Sequence, residues 1–350
     1  PTSVLADTLA VTEPEQQVQQ EEQTSAPGSG EETAAPEDEE TDEVPSAVPE
    51  TSLPAAQIAR SGSAVQTLAE GTVSSAEEFA KMKPNGSYTL AADITITAPY
   101  AEDFSGTFDG AGHTVTLNIE SDSSNQGMFT KLVSGAAVKN VMVDGGVTGD
   151  SYIGGIAGQA TGAIITACAN KAAVAASGRY VGGIVGMGKD VTITNCYNQG
   201  AVSSTRTRPI NMGGIAGYVD GGASVENCYN TGSITGSGSN TAAVVGWDAA
   251  TVKNCYYLES TYKVGACGND GYTDPTVSKT DAEMRSGDIV ALLGSAFMVK
   301  SGDYPALSWE TPTAAVKFTV SPANAVVEIN GVKYTGSCTV GLPVGDYTYT

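Results

Sequence analysis

From Tyr88 onward, apolar residues recur at every second position in short runs, and Gly, Asn or Asp interrupts almost every run. Tyr88-Thr89-Leu90, Ile94-Thr95-Ile96, Val115/Leu117/Ile119 and Val141/Val143 keep this period of two, which predicts short half-buried strands. Helical spacing occurs in two places only. Ser75 with Glu78 forms a capping box that opens a short helix through about Met82, before Pro84 and Gly86. Thr280 with Glu283 opens a helix over 281–293, with Ala291-Leu292-Leu293 as its apolar end and Gly294 as its stop. Tyr304 to Trp309 reads as an extended closing strand. Val316, Phe318 and Val320 alternate, and Val326 to Tyr334 reads as a hairpin through Asn330-Gly331.

In the middle of the chain the alternation is organised by a repeat. Gly154-Gly155-Ile156-Ala157-Gly158 returns as Gly182-Gly183-Ile184-Val185-Gly186, as Gly213-Gly214-Ile215-Ala216-Gly217, and in altered form as Ala242-Ala243-Val244-Val245-Gly246. The starts at 154, 182, 213 and 242 lie 28, 31 and 29 residues apart, and each opening is followed by Cys168, Cys196, Cys228 or Cys255. A fixed period of this length marks a solenoid, in which each copy buries its apolar side against its neighbours. No copy contains an amphipathic helix, and Gly with β-branched residues would break one. The expected fold is therefore all-β, a parallel β-helix with short capping helices and a small β-sandwich after it. Six or seven coils between residues 88 and 260 would make a rod roughly 30 Å long at the spacing of stacked strands.

Equivalent positions of such copies form ladders. Val191, Ile193, Val225 and Val252 fit an interior aliphatic file. Asn195, Asn227 and Asn254 precede their cysteines, with Ala167 breaking the file, and Asn170, Asn198 and Asn230 follow two residues after each Cys. Asn tolerates left-handed turns, and its amide can bond the amides above and below. Strict alternation would send the first Asn file inward and Cys outward. A corner at the Asn that turns both inward is the preferred expectation.

Charge changes the picture mainly at the N-terminus. The chain carries 17 basic and 39 acidic residues, net −22, and 14 of the acids with one base lie between Asp7 and Arg60. Residues 7 to about 70 lack the apolar area to fold and read as a disordered acidic linker. No clustered Lys and Arg are present to bind nucleic acid. No apolar stretch is long enough to span a bilayer, so no membrane insertion is expected in this chain. Pro1-Thr2-Ser3-Val4-Leu5-Ala6 resembles the tail of a secretory signal, which favours export. Gly345 to Thr350 stops within a strand pattern, so the chain reads as a fragment. The expected division is 1–70 signal remnant and linker, 71–311 β-helix with terminal caps, and 312–350 an incomplete β-sandwich.

The blocks Gly182 to Gly186 with Asn195-Cys196-Tyr197-Asn198-Gln199-Gly200-Ala201-Val202, and Gly213 to Gly217 with Asn227-Cys228-Tyr229-Asn230-Thr231-Gly232-Ser233-Ile234, resemble bacterial surface proteins carrying GLUG-motif repeats. The lead-in Phe104 to Val115, the capped helix near Ser75 and the closing Tyr304 to Trp309 extend the resemblance over about 74–310. It implies a right-handed parallel β-helix on secreted or wall-attached proteins. Ser321 to Gly331 with Gly345-Asp346-Tyr347 is similar to a PEGA-type β-sandwich module.

Signals of chemistry are few. Such repeats also occur in large metallopeptidases that cleave immunoglobulin A, which need His-Glu-x-x-His on a helix, whereas this chain has one histidine, His113. His113 beside Asp109 could be a general base, but the surrounding Gly-rich segment reads as turn chemistry. Asp144, Asp150, Asp190 and Asp220 could converge as the carboxylates of a polysaccharide lyase or hydrolase, yet they share no repeat position. The cysteines lack a Cys-x-x-Cys pair, so no metal is expected, and buried free thiols are favoured over disulfides. Tyr197, Tyr229 and Tyr256, with Tyr180, Tyr218 and Trp247 nearby, form a possible ligand-binding aromatic stripe suited to sugars. No catalytic residue and no cofactor are assigned. The expected function is a non-enzymatic, extracellular stalk or binding module whose partners would be host or cell-wall glycans or extracellular proteins. The alternatives are a carbohydrate-active β-helix enzyme and the accessory stalk of a larger surface hydrolase.

Overall fold

A computed structural model of the protein describes residues 70–207, 210–268, 273–300, 302–310, 313–318, 324, 326–329 and 332–343. The linker and signal-remnant readings for 1–70 lie, save for Glu70, outside the described residues. Between Gly71 and Lys279 the strand pairings are parallel, and strands at equivalent positions of successive coils stack into ladders. The longest unbranched ladder has eight strands, from Gly71–Val73 through Ser87–Leu90 and Thr107–Asp109 to Thr251–Lys253. At about 4.8 Å per rung its first and last strands lie roughly 34 Å apart. The chain is a parallel β-solenoid with few helices.

Burial drives the coil. Tyr88, Phe108, Val138, Ile165, Ile193, Val225 and Val252 stand in register on that sheet, and all are buried. Val191 is not in this file as expected. It lies two positions earlier, and like Ala163 and Ala223 it fills the preceding corner of its coil. A full repeat coil has five short strands, such as Val181–Gly182, Val185–Lys189, Thr192–Thr194, Tyr197–Asn198 and Val202–Ser204. Between the third and fourth the backbone passes through a left-handed residue: Ala167 (φ 51°), Asn195 (54°), Asn227 (53°) or Asn254 (50°). Asn adopts that conformation at low cost because its short amide bonds locally, which is why three of the four corners carry it.

That corner corrects the expected orientation. Cys168, Cys196, Cys228 and Cys255 do turn inward, but Asn195, Asn227 and Asn254 remain on the outer edge. There they form their own ladder, Asn254 Nδ2 donating to Asn227 Oδ1 at 3.0 Å and Asn227 Nδ2 to Asn195 Oδ1 at 3.3 Å.

The N-terminal end is plugged by α1 (Ala76–Ala80), two residues shorter than expected. Ser75 Oγ accepts from Glu78 N as foreseen, whereas the Glu78 carboxylate turns back to Ser74 rather than Ser75. Phe79 closes the bore, its ring 5.6–6.0 Å from those of Tyr100, Phe108 and Phe129. At the other end, residues 264–267 stack on 243–248, tied by Asp274, whose carboxylate accepts from the amides of Gly265, Ala266 and Thr276.

The helix expected over 281–293 is two: α2 (Asp281–Met284), with its Thr280–Glu283 capping box, and α3 (Gly287–Leu293), stopped at Gly294. They do not cap the rod's end. With Phe297 and Leu307 they lie along its side, over Ala169, Tyr197, Tyr229 and Tyr256. The chain then runs back toward earlier coils, where Trp309 Nε1 donates to Ala167 O at 2.9 Å and Lys171 pairs with Glu310 at 3.9 Å. Beyond it, Thr313–Phe318 pairs antiparallel with Cys338–Pro343, and Val326–Ile329 with Val332–Thr335; the turn expected at Asn330-Gly331 lies outside the described residues.

Candidate functional site

The inward-facing polar groups serve the fold. Asn170, Asn198 and Asn230 are fully buried and joined axially: Asn170 Nδ2 donates to Asn198 Oδ1 at 2.6 Å, and Asn198 Nδ2 to Asn230 Oδ1 at 2.7 Å. Each also donates to the carbonyl two residues on, at Ala172, Gly200 and Gly232. The ladder explains the glycine pair. A Cβ on Gly155, Gly183 or Gly214 would stand within 2.6 Å of the Asn amide of its own coil and of a carbonyl in the next. In the fourth copy the file ends at Tyr257, in register with Asn230, and the glycine becomes Ala243. The third glycine is kept in all four copies, because a side chain there would run into the preceding coil: a Cβ on Gly246 would stand 2.3 Å from Met212 N.

The four ladder cysteines are free and buried. Each thiol donates to the carbonyl two residues before it, at 3.2–3.3 Å, and faces another on the preceding coil. Burial pushes the Cys168 and Cys228 thiols well up, so they are poor nucleophiles. Cys267 is only partly buried. A thiol-reactive probe is therefore expected to label Cys267 at least tenfold faster than the ladder cysteines in native protein, read by peptide mass mapping. Comparable labelling of Cys196 would contradict the sealed interior.

Tyr197, Tyr229 and Tyr256 cannot be the ligand-binding stripe. They point out of the coil, but the strap of α2, α3 and Phe297 covers them, leaving Tyr229 fully buried and Tyr197 and Tyr256 nearly so. Tyr197 and Tyr229 stack at 5.0 Å, and the Tyr229 hydroxyl donates to Pro305 O. Burial pushes both hydroxyls up, beyond reach of ordinary titration.

A second aromatic array is open to solvent. The six-stranded sheet places Lys131, Gln159, Met187, Tyr218 and Trp247 in one outward file, all half-buried. At its side Tyr152 and Tyr180 occupy left-handed corners, stacked at 4.9 Å, and Tyr180 meets Tyr218 edge-on at 5.6 Å. The Tyr218 hydroxyl donates to Asp220 Oδ2 at 3.1 Å, two residues along the same face, so its ring lies along the strand. Burial, then this bond, push that hydroxyl up. The sequence named Tyr180, Tyr218 and Trp247 only as neighbours and missed Tyr152. The signal available was their position beside the glycine block, Tyr152 and Tyr180 two residues before it and Tyr218 and Trp247 directly after it.

The carboxylates do not form one site. Asp144 bonds its neighbour's amide at Gly145, Asp150 accepts from the hydroxyls of Ser124, Ser151 and Ser177, and Asp190 accepts from Gly222 N. His113 faces Asp93 at 3.2 Å rather than Asp109. Burial raises the Asp109 carboxyl, but Ala111 N, Asn140 and Lys139 together hold it below its ordinary value. Among the described residues no group of three or more His, Cys, Asp or Glu side chains is placed to hold a metal ion. No described helix is long and apolar enough to cross a membrane.

Residues 209–235 match the family model of the GLUG motif. No curated protein matches the chain. A solved structure from Bacteroides ovatus, described as a "putative immunoglobulin A1 protease", is similar at 22% identity and TM-score 0.49, over 68% of this chain and 92% of that one.

Proposed function

We propose that this chain is a non-enzymatic, secreted or cell-surface repeat module whose solenoid presents a lateral glycan-binding face. The observation that carries the reading is the outward, half-exposed aromatic array of Tyr152, Tyr180, Tyr218 and Trp247 on stacked rungs. Aromatic rings held on a rigid sheet present apolar area to sugar rings at little entropic cost, and Gln159 and Asp220 supply polar groups beside them. The reading keeps the solenoid right-handed, the hand that parallel crossovers take, and 312–350 as a PEGA-like sandwich.

The strap favours presentation over spacing. The chain enters at Gly71 on the first rung and returns at Trp309 and Glu310 beside Gly112, Ala167 and Lys171. Three repeat coils, those of Cys196, Cys228 and Cys255, follow that contact along the axis, roughly 14 Å at the strand spacing, and they carry Tyr180, Tyr218 and Trp247.

The test is binding of the whole chain to a glycan array, with product release assayed on every polysaccharide retained. Binding without turnover is expected. Tyr218→Ala should weaken it about tenfold or more, the loss typical of an aromatic anchor, with an unchanged unfolding midpoint. Cleavage of a retained polysaccharide would replace this reading with the carbohydrate-active enzyme. A glycan that binds Tyr218→Ala as well as the parent would move the site elsewhere.

A further inference from the structure

Two tyrosines stand where the fold asks for asparagine. Asn125, Tyr152, Tyr180, Asn211 and Asn240 occupy one corner of successive coils, at or beside strands held in register. The asparagines bond locally: Asn240 Nδ2 donates to Asn211 Oδ1 at 2.7 Å, and Asn125 Oδ1 accepts from Gln159 Nε2 at 2.7 Å. Tyr152 (φ 61°) and Tyr180 (φ 65°) share the left-handed conformation of Asn125 (φ 61°). A bulky side chain adopts it at a cost that Asn largely avoids. Neither tyrosine offsets that cost by filling the core, since both are half-buried on the outside of the coil. Strain kept at a solvent-facing aromatic pair points to a contact surface rather than to packing.

The orientation of Tyr218 follows from this pair. Tyr152 and Tyr180 lie on consecutive rungs with their planes 20° apart, so their ring normals run close to the solenoid axis. Tyr218, one rung further on, stands at 79° to Tyr180. Its normal therefore runs across the axis, while the bond to Asp220 lays its length along the strand. Both conditions hold when the ring lies parallel to the sheet, with one face toward solvent. Met187 and Trp247 flank it in the same outward file, one rung to either side. The three form a flat apolar strip along the axis.

Charge does not draw an anion to this strip. Asp103, Asp150, Asp190 and Asp220 keep their charge beside Lys131, Arg179 and Lys189, and Lys189 stands in register with Asp220. With no excess of positive charge, a polyanion gains no net attraction. The chemistry left to the strip is contact between C–H groups and aromatic faces.

We propose that the strip takes a neutral, extended glycan, a chain of hexopyranoses linked equatorially at both ends, laid along the solenoid axis. The inference rests on the glycan-binding reading above and names its substrate class. Each such ring turns a face of C–H bonds toward an aromatic plane, and equatorial links keep successive rings flat and in line. Neighbouring rings then fall on Tyr218 and Trp247, whose rungs are about 4.8 Å apart, close to the repeat of such a chain. An axial link tilts each ring from the next and lifts the second off the strip. The Tyr152–Tyr180 stack closes one side of it.

The experiment is calorimetric titration of the whole chain with cellohexaose, its axially linked isomer maltohexaose, and polygalacturonate. Cellohexaose should bind at least tenfold more tightly than either, with an affinity that added salt leaves unchanged. Tyr152→Asn and Tyr180→Asn together should weaken cellohexaose about tenfold or more without lowering the unfolding midpoint, because Asn relieves the strained corners. A lower midpoint with unchanged binding would make the pair structural and overturn its place in the site. Maltohexaose binding as tightly as cellohexaose would overturn the extended-chain assignment. Polygalacturonate binding as tightly would overturn the neutral one, and either result leaves the glycan reading in place. Binding to none of the three, while the array retains another glycan, would overturn this class alone. Silence on the array as well would remove both.

Discussion

Gly183→Ala is expected to destabilise the solenoid by about 3 kcal/mol or more, the upper range for overpacking in a closed interior. The added methyl would stand 2.2 Å from Gly214 O and 2.5 Å from the Asn198 amide carbon. Neither neighbour can give way. Gly214 belongs to the next rung, where its amide donates to Ala243 O, and Asn198 is bonded above and below. The reverse change two rungs on, Ala243→Gly, should cost only about 1–2 kcal/mol, backbone entropy plus one buried methyl, because no buried Asn of the same coil opposes that position. Urea unfolding monitored by circular dichroism measures both. Similar midpoints for the two variants would mean that the glycine pair reflects turn geometry rather than close approach.

That contrast also shows what could be read from the residues. The repeat, the parallel stacking, Ile193, Val225 and Val252 as an interior file and the burial of the cysteines all follow from copies that agree with one another. Where copies agree, alternation and ladder physics apply at several rungs at once. The corner orientation did not follow, because a single left-handed residue at Asn195 or Asn227 reverses the parity of everything after it. Cys196 turns in and Asn195 stays out, although strict alternation demands the opposite.

Tyr197 and Tyr229 failed for a different reason. Their coil does expose them, and their burial comes from the strap, Met284 to Leu307, more than fifty residues later in sequence. No local pattern carries such a contact. The same segment hid the position of the chain's exit, since α2 and α3 look from sequence like an end cap. Tyr152, Tyr180, Tyr218 and Trp247 were split over two kinds of position, each filled in only two copies, so no full ladder announced them. Only the stacking of corners against the six-stranded sheet brings them together.

Asn198→Leu is expected to cost about 2–6 kcal/mol, because it leaves two buried partners unmatched at roughly 1–3 kcal/mol each. Asn170 Nδ2 would lose its axial acceptor and Asn230 Oδ1 its axial donor, although each keeps one bond within its own turn. Asn198→Asp separates the hydrogen-bond loss from the size change. Its carboxyl can still accept from Asn170, but it can no longer donate to both Gly200 O and Asn230 Oδ1. Burial disfavours the ionised form, so the folded-state pKa of that variant lies above the ordinary value near 3.9. The acid form is then the one the fold tolerates, and stability should be greatest below about pH 4. It should fall by about 1.4 kcal/mol per pH unit as pH rises toward the folded-state value. Unfolding midpoints of Asn198→Asp and Asn198→Leu at pH 4 and pH 7 distinguish the cases. The leucine variant should be insensitive to this pH change relative to the parent, and the aspartate variant should lose most of its stability across it. An aspartate variant equally stable at both values would place position 198 in contact with water, and the closed amide ladder would have to be abandoned.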